Sequence, residues 1–189
     1  AEMKKLIRRE NMIETDNLII RQSKWEDLED FYRWERLPEV TEFFSIGDDQ
    51  TQEEVTRKYI EDEKDPKALQ FTILLKDGEG LPRIGRIVLA DIERGWKAEI
   101  WRIYIADKSL RGKGYGREAM LGIISYCFDG LSLQRLYLDH YTGNPASELY
   151  LSLGFRYEGV LRKNCRKNGA LHDVHLMSML REEYEEKYR

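Results

Sequence analysis

Cysteine is scarce in this chain: Cys127 and Cys165 are too few and too far apart for a disulfide framework or a zinc site. Both thiols are expected to be reduced, Cys127 within a helical apolar pattern. No apolar run approaches the roughly 18 residues that a membrane-spanning helix needs. The start of the chain carries Lys4, Lys5, Arg8 and Arg9 but lacks the apolar stretch and small-residue cleavage site of a secretory leader. The expected compartment is the cytoplasm, with no membrane partner. Basic charge is not in excess either: the formal net charge is -4, so the general attraction of a basic surface for nucleic acid is missing. There is no internal repeat and no low-complexity segment.

What is present is an ordinary globular composition, 41% hydrophobic and 35% charged over 189 residues, enough for one core. Residues 1–16 are assigned to an N-terminal extension and 17–189 to a single domain, monomeric or homodimeric. Residues 18–21 predict a strand. Ser23 follows as a candidate N-cap for a helix carrying Trp25, Leu28, Phe31, Tyr32 and Trp34. Thr51 and Glu54 have capping-box spacing for a second helix that ends before Pro66. Residues 69–76 and 84–92 read as a hairpin around the turn 77–80, and residues 98–106 add a third strand. A helix over 116–129 presents Ala119, Met120, Ile123, Ile124, Cys127 and Phe128 at helical spacing. Residues 135–141 form the next strand, 145–153 a short helix closed by Gly154, and Phe155 opens another strand. Asn168-Gly169 is a hairpin turn before an alternating strand and a charged helical tail. The fold class is α/β, with a largely antiparallel sheet, flanking helices, and 98–106 beside 135–141 as a parallel pair joined by the crossover helix.

Between a strand and a helix stands Arg111-Gly112-Lys113-Gly114-Tyr115-Gly116. Alternate glycines let backbone N–H groups converge without obstruction, and the helix N-terminus adds positive potential, which is an anion site suited to phosphate. Arg111 and Lys113 add charge. A Walker loop would need Ser or Thr after Lys113, where Gly114 stands; a dinucleotide fingerprint would need another glycine spacing and an early parallel strand.

The pattern Arg111-x-x-Gly114-x-Gly116 resembles the acetyl-CoA signature of the GNAT superfamily of N-acetyltransferases. The segment Asn144-Pro145-Ala146-Ser147-Glu148-Leu149-Tyr150-Leu151-Ser152-Leu153-Gly154-Phe155 resembles that superfamily's second signature, and the resemblance covers about residues 18–180. The ending, with Glu158-Gly159-Val160-Leu161, the Asn168-Gly169 turn and Asp173-Val174, is most similar to the RimJ/RimL and spermidine acetyltransferase branch. The resemblance implies acetyl-CoA as co-substrate and an amine acceptor, with the pantetheine arm in a gap where the parallel pair splays. It implies backbone contacts at Ile103, Tyr104 and Ile105, Tyr150 as general acid toward the thiolate, coenzyme contacts from Asn144 and Ser147, and Glu99 as general base. The local alternatives are core packing for Tyr150, helix capping for Asn144 and Ser147, and an exposed edge position for Glu99. A non-catalytic acyl-CoA sensor of the same fold is the alternative function.

Two-residue alternation puts Glu99, Trp101, Ile103 and Ile105 on one face, where a carboxyl among apolar neighbours would hold its proton more tightly. Asp139-His140 reads as a surface pair, with a relay as the alternative. His172 and His175, oddly spaced on a strand, diverge, so no metal site is expected. From Glu26 to Asp65 fifteen acidic residues face five basic ones. In the superfamily the acceptor enters from this side. The block is either a field attracting polyamines, aminoglycosides or basic peptide N-termini, or a solvated helix face. Phe43, Phe44 and Ile46 within it either line a pocket or anchor the loop.

Overall fold

Alternation of apolar and polar residues in the first half of the chain yields a meander, and its second half joins the same sheet. The computed structural model describes residues 11–77 and 79–189; the basic residues 4–9 and Gly78 of the hairpin turn lie outside them. The strands are β1 (Ile13–Glu14), β2 (Leu18–Gln22), β3 (Leu69–Leu75), β4 (Arg83–Glu93), β5 (Lys97–Ile105), β6 (Arg135–Tyr141), β7 (Arg156–Lys167) and β8 (Ala170–Leu180). Their order is β1-β2-β3-β4-β5-β6-β8-β7, with β5 and β6 parallel and the other neighbours antiparallel. Ile13 and Glu14, which the sequence places ahead of the domain, pair with β2 and belong to the sheet.

Helices α1 (Leu28–Trp34), α2 (Pro38–Thr41) and α3 (Gln52–Lys64) cover one face, packing Phe31, Trp34, Val40, Val55 and Tyr59 with Tyr104 of β5 and Ala106 just after it. On the other face α4 (Tyr115–Ser125), continued by one π turn to Gly130, buries Ala119, Met120, Ile123, Ile124, Cys127 and Phe128 against Phe71, Ile73, Ile87, Leu89, Ala98 and Ile100. Leu153 of α5 (Ala146–Leu153) joins that core, and α6 (Arg181–Tyr188) forms the charged tail.

Local signals explain most boundaries. Thr51 Oγ1 accepts from Glu54 N–H at 3.2 Å and Glu54 answers to Thr51 N–H at 2.9 Å, the predicted capping box. Asn168 and Gly169 both take the positive φ that a two-residue hairpin turn requires. Ser23, expected as a cap, instead bonds Thr72 at 2.9 Å, and the N-cap position falls to Lys24, whose N–H donates to Asp27 at 2.9 Å.

Two departures from regular pairing shape the site. The parallel register of β5 with β6 runs from Lys97↔Arg135 to Glu99↔Tyr137 and then stops, so the two strands separate. On the other side of β5, Val88 pairs with Arg102 and Leu89 with Ile100, leaving Trp101 as the extra residue of a β-bulge. The bulge corrects the expected face: Glu99 and Trp101 lie toward the α1–α3 side with Arg102 and Tyr104, whereas Ile103 and Ile105 pack with the α4 core.

Candidate functional site

Beyond Glu99, β5 has no partner on its β6 side among the described residues, and its backbone polar groups border an open gap. A cleft of about 590 Å³ occupies this region, lined by Ile103, Tyr104 and Ile105, by Arg111, Gly112, Gly114, Tyr115 and Gly116, and by Asn144, Ala146, Leu149 and Tyr150. Gly112 and Gly114 hold φ of 77° and 85°, and Gly114 caps the N-terminus of α4. A Cβ added at Gly112, Gly114 or Gly116 would meet no atom within 4 Å, so the loop is a cradle facing open space. These residues fit a phosphate-bearing ligand whose arm extends along β5.

The sequence-predicted residues do not all take the same part. Lys113 is exposed and Ser147 half-buried, and neither lines the cleft. Arg111 lines it while donating to Glu39 carbonyl oxygen at 2.7 Å. Asn144 Oδ1 accepts from Ala146 N–H at 2.9 Å, so it caps α5 while lining the cleft.

A second, smaller pocket of about 90 Å³ adjoins the first, lined by Phe43, Phe44 and Ser45 from the loop after α2, by Glu99, Trp101 and Arg102, by Asp139, His140 and Tyr141, and by Asn144, Tyr150 and Cys165. Phe43 and Phe44 thus line a pocket, whereas Ile46 is buried as an anchor. Burial first, then the charges of Asp139 and Asp91, pushes the Glu99 carboxyl up to about 7. The Asp139-His140 pair is not on the surface: His140 is 6% exposed and Asp139 half-buried, because β6 lies inside the sheet between β5 and β8. No local pattern marks Asp139 as a pocket residue. The signal was its parity with Tyr137, the register partner of Glu99. His172 and His175 do diverge, one stacking on Tyr141 and the other on His140. No cluster of three metal-ligating side chains occurs among the described residues.

Tyr150 belongs to both pockets. Projecting from α5, its ring lies 6.1 Å from that of His140 and 6.2 Å from that of Phe155, while its hydroxyl has no hydrogen bond among the described residues. Burial, then Asp139, pushes the phenol up to about 12.

Behind this wall lies a buried ionic cluster that no local sequence pattern announced. Glu35 accepts from Arg86 at 2.7 Å, from Tyr104 at 2.9 Å and from Arg102. Other members of the acidic block are likewise spent internally: Asp27 on Arg21 and Arg83, Asp62 on Lys58.

A family model described as the acetyltransferase (GNAT) domain matches residues 17–156. An uncharacterized N-acetyltransferase p20 of Bacillus licheniformis is 31% identical over 174 residues, covering 90% of this chain and 96% of that protein. The spermidine N(1)-acetyltransferase of Vibrio cholerae is 33% identical over 102 residues, covering 53% of this chain and 58% of that protein. A crystal structure of spermidine N-acetyltransferase from Vibrio cholerae in complex with CoA and spermine superposes with a TM-score of 0.78 at 25% identity, covering 90% of this chain and 99% of that one. No helix among the described residues is long and apolar enough to cross a membrane.

Proposed function

As this chain belongs to the GNAT acetyltransferase family and is an N-acetyltransferase, we propose that it moves acetyl from acetyl-CoA directly to a primary amine. The observation that carries this reading is the shared wall: Tyr150 and Asn144 border both the glycine-lined cleft and the carboxylate-bearing pocket. A thioester in one and an amine in the other meet beside a phenol.

The chemistry then divides among the chain's own groups. Backbone N–H groups from Gly112 to Gly116 and the α4 N-terminus take the coenzyme's phosphates, and the unpaired edge of β5 bonds the amides of its arm. Glu99 takes a proton from the acceptor's ammonium, directly or through water, so that the nitrogen is neutral when it attacks the carbonyl carbon. A backbone N–H near Ile103 polarises that carbonyl. As the carbon–nitrogen bond forms and the carbon–sulfur bond breaks, Tyr150 protonates the departing thiolate, and the proton that the new amide nitrogen sheds passes through water to restore the phenol. Such a path uses neither thiol. Cys127 is fully buried and its thiol is pushed well above the ordinary range by burial, and burial also raises Cys165, on the wall of the small pocket.

The acceptor is a polyamine, an aminoglycoside or a peptide N-terminus; spermine in the Vibrio cholerae complex favours testing polyamines first. Thiol release from acetyl-CoA across a panel of these amines should show turnover on at least one. Binding of the coenzyme without turnover on any of them would sink the proposal.

Two further outcomes are expected. Gly114→Val puts a branched side chain into the cradle at a φ of 85° that such residues avoid. It should weaken acetyl-CoA binding by about tenfold or more, equal to roughly 1.4 kcal/mol, in calorimetric titration. Because Glu99 must be ionised to act and its midpoint lies at about 7, log kcat/KM should climb with pH below about 7 and level above it. In Glu99→Gln that limb should vanish from the measured profile.

A further inference from the structure

We propose that Asp139 is a second carboxylate of the acceptor pocket, acting with Glu99 to seat the ammonium of the amine beside Tyr150. This inference rests on the reading of the small pocket as the acceptor site. Glu99 and Tyr137 form the last register pair before β5 and β6 separate. One pleat beyond Tyr137, Asp139 faces the same side, while Leu136 and Leu138 point into the core. Both carboxylates therefore line one pocket from opposite strands.

Their lack of partners sets them apart. Elsewhere in the fold a buried carboxylate comes with a cation: Asp27 with Arg21, Glu35 with Arg86, Asp62 with Lys58. Among the described residues neither Glu99 nor Asp139 has an ion pair or a hydrogen-bond donor. The nearby cations are engaged elsewhere, Arg102 by Glu35 and Lys58 by Asp62. A third group points the same way. His140 is 6% exposed, its Nδ1 donates to the Tyr141 carbonyl oxygen at 3.0 Å, and its Nε2 is buried with no partner. With Nδ1 bound to a carbonyl oxygen, Nε2 is the ring atom left without a partner. A pocket with two carboxylates and aromatic walls calls for a compact cation with several N–H donors, which a primary ammonium is.

The other titratable groups facing the pair are Asp91 of β4, Tyr137 and His140 of β6, Tyr150 of α5 and Cys165 of β7. Of these, His140 alone draws the Asp139 carboxyl down, and burial outweighs it, so Asp139 stays above its ordinary value. Burial and then Asp139 raise Glu99, so removing the Asp139 charge must lower it.

The test is an NMR titration of the Glu99 carboxyl in the whole protein and in Asp139→Asn, each with and without methylammonium chloride. The Asn side chain keeps the shape, and the midpoint of Glu99 should fall by about one unit. In the unsubstituted protein methylammonium should also lower the midpoint, because a bound cation favours the charged carboxylate; in Asp139→Asn that response should be largely lost. A midpoint that Asp139→Asn leaves in place overturns the proposal, as does a methylammonium response equal in both proteins. These readings need no turnover, so they fail separately from the acetyl-transfer reading.

Discussion

Replacing Tyr150 by Phe is expected to lower kcat by about 100-fold, the lower end of what a positioned acid contributes, while the KM for acetyl-CoA stays within about twofold. The substitution is clean because of how the residue is held. The ring is 8% exposed and packs on Phe155 and His140, and Phe preserves those contacts. Its hydroxyl has no hydrogen bond within the described chain, so deleting it leaves no orphaned partner, and the melting temperature should hardly move. At about 12 the phenol remains protonated at any working pH, as the proposed donation to sulfur requires. Steady-state kinetics at saturating amine, with a thermal melt as control, check both halves of the statement. Full activity in Tyr150→Phe would leave the residue as core packing and pass the acid's role to solvent.

Tyr150 was legible because everything that places it is local. Asn144 caps its helix, Gly154 ends that helix at a φ of 106°, and the spacing between them aims the ring inward. The same holds for Thr51 with Glu54, for Asn168-Gly169, and for the glycines before α4: each states a backbone requirement within a few residues of itself. What depends on distant partners was not legible. The bulge at Trp101 is fixed by the register of β5 against β4, and its effect is to reverse the alternation that strand periodicity assigns to Ile103 and Ile105. Asp139 and His140 looked exposed because adjacent polar residues at a strand end usually are; β8 on one side and the splay on the other enclose them. The acidic block was the least readable feature. Counting charges cannot separate Glu35 and Asp27, which are buried against Arg86 and Arg83 of the remote strand β4, from Glu42, which faces solvent.

Glu35→Ala is expected to cost about 3–5 kcal/mol of stability, because it leaves the Arg86 and Arg102 guanidinium groups buried and uncompensated. For a domain of this size, at ~2–4 °C per kcal/mol, the melting temperature should fall by roughly 6–20 °C. Arg86 is 2% and Arg102 6% exposed, so water cannot replace the lost carboxylate without opening the fold. Arg102→Met in the same protein should recover part of the loss by removing one of the stranded charges. The pH dependence has a definite sign. Burial alone would raise the Glu35 carboxyl, but Arg102 and Arg86 more than offset it and hold it below its ordinary value. Its contribution is therefore complete above the ordinary carboxylate range and lost as pH falls through the depressed value, so Glu35→Ala should flatten the acid limb of the stability curve. The same cluster braces β5. Arg102 and Tyr104 flank Ile103, Tyr104 carries Phe44 against its ring at 6.0 Å, and Phe44 lines both pockets. Loosening Glu35 should thus reach the site through the bulge, and a Glu35→Ala protein assayed well below its melting temperature should keep coenzyme affinity less well than Tyr150→Phe does.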